Sequence, residues 1–300
     1  MITPPFLKPG DRIGIAATGR KVSVRNIEYA VETLSSWGLE VAAGPNLYSN
    51  AHNYLGGSDL QRISDFQEML NDPGIKAIVC ARGGYGTTRI IDALDFSSLI
   101  SNPKWVVGFS DVTAIHLKLF NEGVKSIHGT MPLLFSNPEA ASSVESLRRC
   151  LFGERDVVAA RAFPGNHVGS VTAPVVGGNL SLIADSIGTS SDPDTEGKIL
   201  VLEEIDEYKY KIDRMLMHLK RAGKLDNLAG MVIGHMTDIK DPELPFGETV
   251  EEIVVSKIQK NFPVAFKFPV GHENPNLAWI HGSVMTLAVT EAGAQLSPVL

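Results

Sequence analysis

Cysteine is scarce in this sequence: among 300 residues only Cys80 and Cys150 carry thiols, far apart and each in apolar or helical surroundings. A disulfide framework and a cysteine-based metal site are excluded, and two reduced core residues are expected. Charge is also thin, at 20% of residues, where ~25% is usual. No run of basic residues interrupts the balance of 27 Lys and Arg against 34 Asp and Glu, which leaves a formal charge of −7. Nucleic acid and an anionic membrane are therefore poor partners. No apolar run approaches the ~18 residues of a membrane span. The opening MITPPFLKPGDRIGIAA has no basic-then-apolar leader, so a soluble, cytoplasmic protein is expected. Internal repeats and low-complexity segments are missing too. What remains is a chain with 44% hydrophobic residues, long enough to bury a sizeable core in two domains or one large one.

The first half alternates short apolar runs with amphipathic stretches. Asp11–Thr18 reads as a buried strand, and Val24–Trp37 places Ile27, Ala30, Val31, Leu34 and Trp37 at helical spacing. Gly38–Pro45 is the next strand. Ser58 then caps a helix with Leu60, Ile63, Phe66, Met69 and Leu70 on one face. Ile75–Ala81 is almost wholly apolar, as a parallel strand covered on both sides should be. It leads through Arg82-Gly83-Gly84-Tyr85-Gly86-Thr87 into an expected helix, and Trp105–Ser110 is a further strand. This βαβα rhythm indicates a doubly wound parallel sheet. It breaks near Asn137, where a Ser- and Ala-rich helix-like stretch, a Gly-Glu-Arg-Asp turn and FPGNHVGS intervene. Shorter, mixed strands follow, in VTAPVVGG, KILVLEEI, GMVIGHM, VAFKFPVG and VMTLAVTE, with helices at about 213–222 and 248–260. The expected division is residues 1–137, a linker at 138–167, and a mixed β domain at 168–300.

The sharpest chemical feature is VVGFSDVTAIHLKLF. A serine at the junction of an apolar strand and an amphipathic helix sits over free N–H groups and a positive dipole end. That is the physics of a nucleophile elbow, although Gly108-Phe109-Ser110-Asp111 lacks the G-x-S-x-G pattern, and a plain N-cap is the competing reading. A serine nucleophile needs a base, and the base needs an orienting acid. Of eight histidines, His116 and His218 fall in helices, His52 and His167 in polar loops, and His235 and His281 near strand ends. His128 and His272 lead, because strand-end loops carry catalytic groups more often than helix faces. The apolar run ILVL leads into Glu203 and Glu204, which strand alternation points to opposite faces, so one serves a site and the other is expected in solvent. The glycine turn at 83–86 offers backbone N–H groups to an anion, as Gly177-Gly178-Asn179-Leu180 does more weakly.

Taken together, GDRIGIAA, YLGGSDLQR, ARGGYGTTRIID, WVVGFSDVTAIH, IHGTMP, PVVGGNLSLIADSIGT, ILVLEEIDEYKYKIDRML and FPVGHENPNLAWIHG resemble the LD-carboxypeptidase family of serine peptidases, which includes the microcin-immunity peptidases. The resemblance implies Ser110 as nucleophile, Glu203 as the acid and His272 as the base. It also implies an oxyanion hole from the N–H groups of Asp111 and Gly84. The implied architecture is α/β: a flavodoxin- or Rossmann-like doubly wound domain and a mixed β/α domain of swivelling-β type. Glu203 and His272 both come from the second domain, so its docking onto the first assembles the triad. The sequence departs from the family at Thr130, where proline is frequent, and at Glu204 and Asp206, where many members have Asp and Gly.

The implied reaction is hydrolysis of an amide to a terminal D-amino acid, with release of D-alanine from murein tetrapeptide during peptidoglycan recycling. No metal or other cofactor is implied, the partner is a small muropeptide, and a homodimer is suggested. Arg82 is a candidate helper for the terminal carboxylate, with Asn179 as a polar contact. A microcin-type peptidase acting on an acyl-nucleotide is the alternative, although only Trp279 of three tryptophans lies near the site loop for base stacking. A sugar or nucleotide kinase using Gly83–Gly86 as its anion loop is less favoured, since no nearby Asp is expected with that turn. A non-catalytic sensor is disfavoured by the intact Ser110, Glu203 and His272.

Overall fold

The apolar runs of the first half become five parallel strands, and the amphipathic segments between them become covering helices. The structure is a computed structural model that describes residues 1–154, 156–258 and 261–299. In chain order come β1 (Arg12–Ala16), α1 (Val24–Ser36), β2 (Glu40–Ala43), α2 (Asp59–Asn71), β3 (Ile75–Cys80), α3 (Ser98–Ser101), β4 (Trp105–Gly108), α4 (Thr113–Asn121) and β5 (Ser126–His128). The strands lie side by side as β2-β1-β3-β4-β5, all parallel. This is the flavodoxin-like order, whose switch point falls between β1 and β3. Alternate residues serve two cores: Val79 and Val107 pack with Ile27, Leu34 and Leu151, whereas Ile78, Cys80 and Val106 pack with Phe66, Leu70 and Ile115. Both thiols are free and buried, and burial pushes each up to about 12.

Two expectations for this half are corrected. Ser58 does cap α2, in a capping box with Gln61, but Leu60 is 79% exposed. Arg62 and Asp65 are buried in that helix instead: Arg62 Nη1 donates to the Gly86 carbonyl and Nη2 pairs with Asp59, while Asp65 accepts from Asn46 N and Nδ2. The glycine turn leads into two 3-10 turns, Thr87–Arg89 and Ile91–Ala93, in place of an α-helix. Its β-branched pairs Thr87-Thr88 and Ile90-Ile91 are poor helix formers.

The second half continues with α5 (Ala141–Leu151), β6 (Val158–Arg161), β7 (Gly169–Asn179), α6 (Leu180–Ser186), β8 (Ile199–Ile205), α7 (Lys209–Arg221), β9 (Gly230–Thr237), α8 (Val250–Lys257), β10 (Val264–Ala265), β11 (Trp279–His281), β12 (Val284–Thr290) and β13 (Gly293–Pro298). Its sheet runs β10-β9-β8-β7-β12-β13-β6, parallel from β10 to β7 and antiparallel beyond. The fold is therefore mixed α/β with two sheets, as the fold class expected. The helix read at 248–260 ends at Lys257, and Gln259 and Lys260 lie outside the described residues. So do Leu300 and Arg155 of the Gly-Glu-Arg-Asp turn.

Two elements cross the expected division at 138–167 and 168–300. The expected linker is structured: α5 places Leu147, Cys150 and Leu151 in the first core, and β6 forms an edge of the second sheet. Conversely β11, from the second half, pairs antiparallel with β5 and closes an edge that would otherwise offer unpaired backbone groups. The two bodies also meet at α4. A Cβ on Gly178 would lie 2.6 Å from Thr113 Oγ1, and that oxygen accepts the Asn179 N–H at 3.0 Å.

Candidate active site

β4 ends at Gly108, and a 3-10 turn over Ser110–Val112 carries the chain into α4. Ser110 takes φ +61°, a left-handed conformation that costs an L-residue about 1–2 kcal/mol. The sharp turn presents its hydroxyl at the crest of the sheet. Gly83 closes the near side: a Cβ there would be 3.2 Å from Ser110 Cβ and 3.3 Å from Asp111 N.

Strand alternation on β8 sorts the two adjacent carboxylates. Leu200 and Leu202 face the core under α6 and α7, while Ile199 and Val201 face Phe268, Val270 and Trp279. Glu203 follows the second face and meets the loop after β10. There His272 Nδ1 lies 2.6 Å from Glu203 Oε2, and Nε2 lies 3.0 Å from Ser110 Oγ. Glu203 is wholly buried, and its Oε1 has no hydrogen-bond partner among the described residues. Burial works against a charged His272, but the charge and hydrogen bond of Glu203 outweigh it and hold the imidazole above its ordinary range. Such an arrangement activates a hydroxyl and then stabilises the imidazolium that forms.

Neighbouring groups fix that loop. Gly271 N–H donates to Asn276 Oδ1 at 3.0 Å, Asn276 N–H to Ser143 Oγ at 2.8 Å and Ala278 N–H to Ser146 Oγ at 3.0 Å. Ser143 and Ser146 are buried on α5, a role that sequence reading missed. Their spacing of three on one helix face was the available signal.

Several sequence expectations change. Glu204 is 2% exposed, not solvated. It accepts hydrogen bonds from Asn179 Nδ2, Ser181 N, Ser181 Oγ and Ile205 N, so the opposite face of β8 is as dry as the first. Asn179 gives its side chain to Glu204 and to the N-terminus of α6, and lies in the framework. The Asp111 carboxylate was not expected beside the glycine turn, yet it accepts from Thr87 N at 2.9 Å and Thr87 Oγ1 at 2.7 Å. Burial pushes it above the usual carboxylate range, against the pull of Thr87. His128, the other leading histidine, is wholly buried, and both its ring nitrogens lack partners among the described residues. It stacks on Trp279, which is itself 2% exposed and so closed to a nucleobase. His116 and His281 complete the cluster. His116 is held between Ser126 Oγ and the Gly108 carbonyl, and His281 Nε2 accepts the Gly177 N–H. Among the described residues no group of three or more His, Cys, Asp or Glu is arranged to hold a metal ion.

The family description "LD-carboxypeptidase N-terminal domain" matches residues 13–129, and "LD-carboxypeptidase C-terminal domain" matches residues 172–287. The chain belongs to the LD-carboxypeptidase family. Among similar proteins, one from Bacillus subtilis (strain 168) named "Probable murein peptide carboxypeptidase" is 33% identical over 97% of this chain and 94% of its own. The crystal structure of muramoyltetrapeptide carboxypeptidase from Oxalobacter formigenes superposes with a TM-score of 0.87 at 27% identity, covering 96% of this chain and 98% of that one. The Microcin C7 self immunity protein MccF shares the fold, with a TM-score of 0.86 at 20% identity over 99% of this chain and 98% of its own. The LD-carboxypeptidase assignment excludes the kinase reading of the glycine turn.

Proposed function

We propose that this chain is a serine L,D-carboxypeptidase that releases D-alanine from murein tetrapeptide. The observation that carries the reading is the continuous relay from Glu203 through His272 to Ser110 across the two sheets. His272 Nε2 takes the Ser110 proton while Oγ attacks the scissile carbonyl. In this reading the Asp111 and Gly84 N–H groups stabilise the oxyanion that develops. The imidazolium, held by Glu203, returns its proton to the leaving D-alanine nitrogen, and the C–N bond breaks. Water then repeats the sequence on the ester, with His272 as base, and frees Ser110. Arg82, half-buried beside the glycine turn, helps bind the terminal carboxylate. The reading extends to a cytoplasmic homodimer acting in peptidoglycan recycling. The test is incubation with L-Ala-D-Glu-meso-diaminopimelyl-D-Ala and mass spectrometry of the products. Release of D-alanine by the wild type, lost by a factor of about 10⁴ or more in folded Ser110→Ala, supports the assignment. An intact tetrapeptide after prolonged incubation overturns it.

A further inference from the structure

At the switch point of the first sheet, the segments that follow β1 and β3 are stitched together beside Ser110. Arg20 N–H donates to the Gly83 carbonyl at 3.2 Å, Gly56 N–H to the Gly19 carbonyl at 3.0 Å, and Lys21 N–H to the Tyr54 carbonyl at 3.1 Å. Arg82 Nη1 reaches the Lys21 carbonyl at 3.2 Å. The stem of Arg20 lies across Gly84, where an added Cβ would come within 2.3 Å of Arg20 Cδ. Its guanidinium rests over the exposed Tyr54 ring, 4.6 Å from the centroid. Gly84 lacks a side chain at the place where this arginine needs the room.

Two guanidiniums are thereby held close together. Burial and the charge of Arg20 both work against the charged form of Arg82. Arg62, Arg89, Arg148 and Arg149 all carry a carboxylate partner. Neither Arg20 nor Arg82 has one among the described residues. Like charges held together without a counter-ion attract an anion, and a guanidinium matches a carboxylate with two parallel hydrogen bonds. Open α/β sheets bind ligands at this crevice. The pair also lies one residue from the glycines that touch the Ser110 turn: Gly83 meets Ser110, and a Cβ on Gly19 would lie 2.8 Å from Asp111 Oδ2.

We propose that Arg20, braced by Tyr54 and paired with Arg82, is the specificity-determining residue that binds the substrate's free terminal carboxylate. The inference rests on the carboxypeptidase reading and explains how such an enzyme selects a chain end over an internal amide. Arg20 orients the terminal residue so that the preceding carbonyl meets Ser110, and it takes no part in proton transfer.

Two measurements test it on the full-length protein. The first compares hydrolysis of the tetrapeptide acid with that of its C-terminal amide. Wild type favours the acid, and Arg20→Gln lowers kcat/KM for the acid by about 10²-fold, the loss of a charge-assisted pair, chiefly through KM. The acid-to-amide ratio then collapses towards unity, and Arg20→Lys restores part of it. An unchanged ratio in folded Arg20→Gln overturns the proposal. The second is calorimetric binding of N-acetyl-D-alanine and N-acetyl-D-alaninamide to Ser110→Ala protein, with and without Arg20→Gln, which reads the subsite without turnover. Preference for the acid that disappears with Arg20→Gln supports the subsite even where hydrolysis is absent, and that result strikes the reaction alone. Equal binding of acid and amide to Ser110→Ala protein overturns the subsite. Should Arg20→Gln fail to fold, Arg82→Gln and Tyr54→Leu are read in the same two assays. Retention of full acid preference by both then counts against the pair.

Discussion

Four histidine rings lie along one chain of aromatic contacts, from His272 through Phe109 to His128, His116 and His281, yet their surroundings drive them in opposite directions. The inner three are wholly buried, and burial pushes His116 down to about 4 and His128 and His281 well below their ordinary value. His272 is nearly as dry, with 13% of its side chain exposed, but has Glu203 at 2.6 Å and is held above its ordinary range. Burial alone makes a neutral, structural imidazole. Burial with one buried carboxylate makes a base that can carry a proton through a reaction cycle. The same contrast separates the adjacent acids. Glu203 keeps one oxygen for His272, whereas Glu204 is spent on four hydrogen bonds inside its own domain.

The comparison breaks most completely when the single charge that distinguishes His272 is removed. Glu203→Gln keeps the shape of the side chain but takes away the stabilisation of imidazolium, so kcat falls by about 10³–10⁴-fold. In the proposed mechanism neutral His272 is the base, so the wild-type rate is expected to rise with pH through a value above the ordinary histidine range. In Glu203→Gln that limb moves to lower pH, below a reduced plateau. A pH–rate profile of both proteins reads the shift, and an unmoved limb would remove Glu203 from the relay.

A smaller effect separates the second acid. Glu204→Gln replaces an acceptor facing Asn179 or Ser181 with a donor and leaves a buried mismatch, which costs about 1–3 kcal/mol of stability. Activity falls far less than in Glu203→Gln. Denaturant unfolding and kcat together report the pattern, and comparable activity losses in the two variants would show one shared network.

The last effect is a pH dependence of folding. His116, His128 and His281 have lowered folded-state values, so the unfolded chain binds more protons below about pH 6.5. Their contribution is present above that pH and is lost as pH falls towards the folded values. His272, shifted upward, works the other way: its contribution is present in acid and lost as pH rises through its folded value. The net expectation is a Tm that falls between pH 6.5 and 4.5, and falls less steeply in His116→Asn. A flat Tm over that interval would deny the inner rings their neutral state.

Strand ends announced the candidates for this site, and the choice of Glu203 over Glu204 and of His272 over His128 came from the family resemblance. An apolar run stopping at Ser110, another stopping at Glu203 and a third leading to His272 are one-dimensional signals, and the structure brings the three side chains together. Alternation likewise placed Glu203 and Glu204 on opposite faces. It said nothing of what covers the second face, so Glu204 was misread as solvated. His128 ends a strand just as plainly, yet Trp279 covers it, and that pairing depends on a strand from a distant part of the chain. Arg20 and the serines of α5 escaped because their partners are backbone groups and a glycine far away in sequence, which leave no local pattern.

The pairing of β11 with β5 also bears on how the molecule is made. β5 emerges early in synthesis, but its outer edge stays open until every element from α5 to β10 has been translated. Throughout that interval the nascent first sheet carries an unpaired strand ending in His128, the kind of edge that templates association between chains. The segment that seals the first sheet is therefore translated late, and the loop of His272 directly precedes it. A chain stopped before that point has neither a finished first sheet nor the His272 ring fixed beside Ser110.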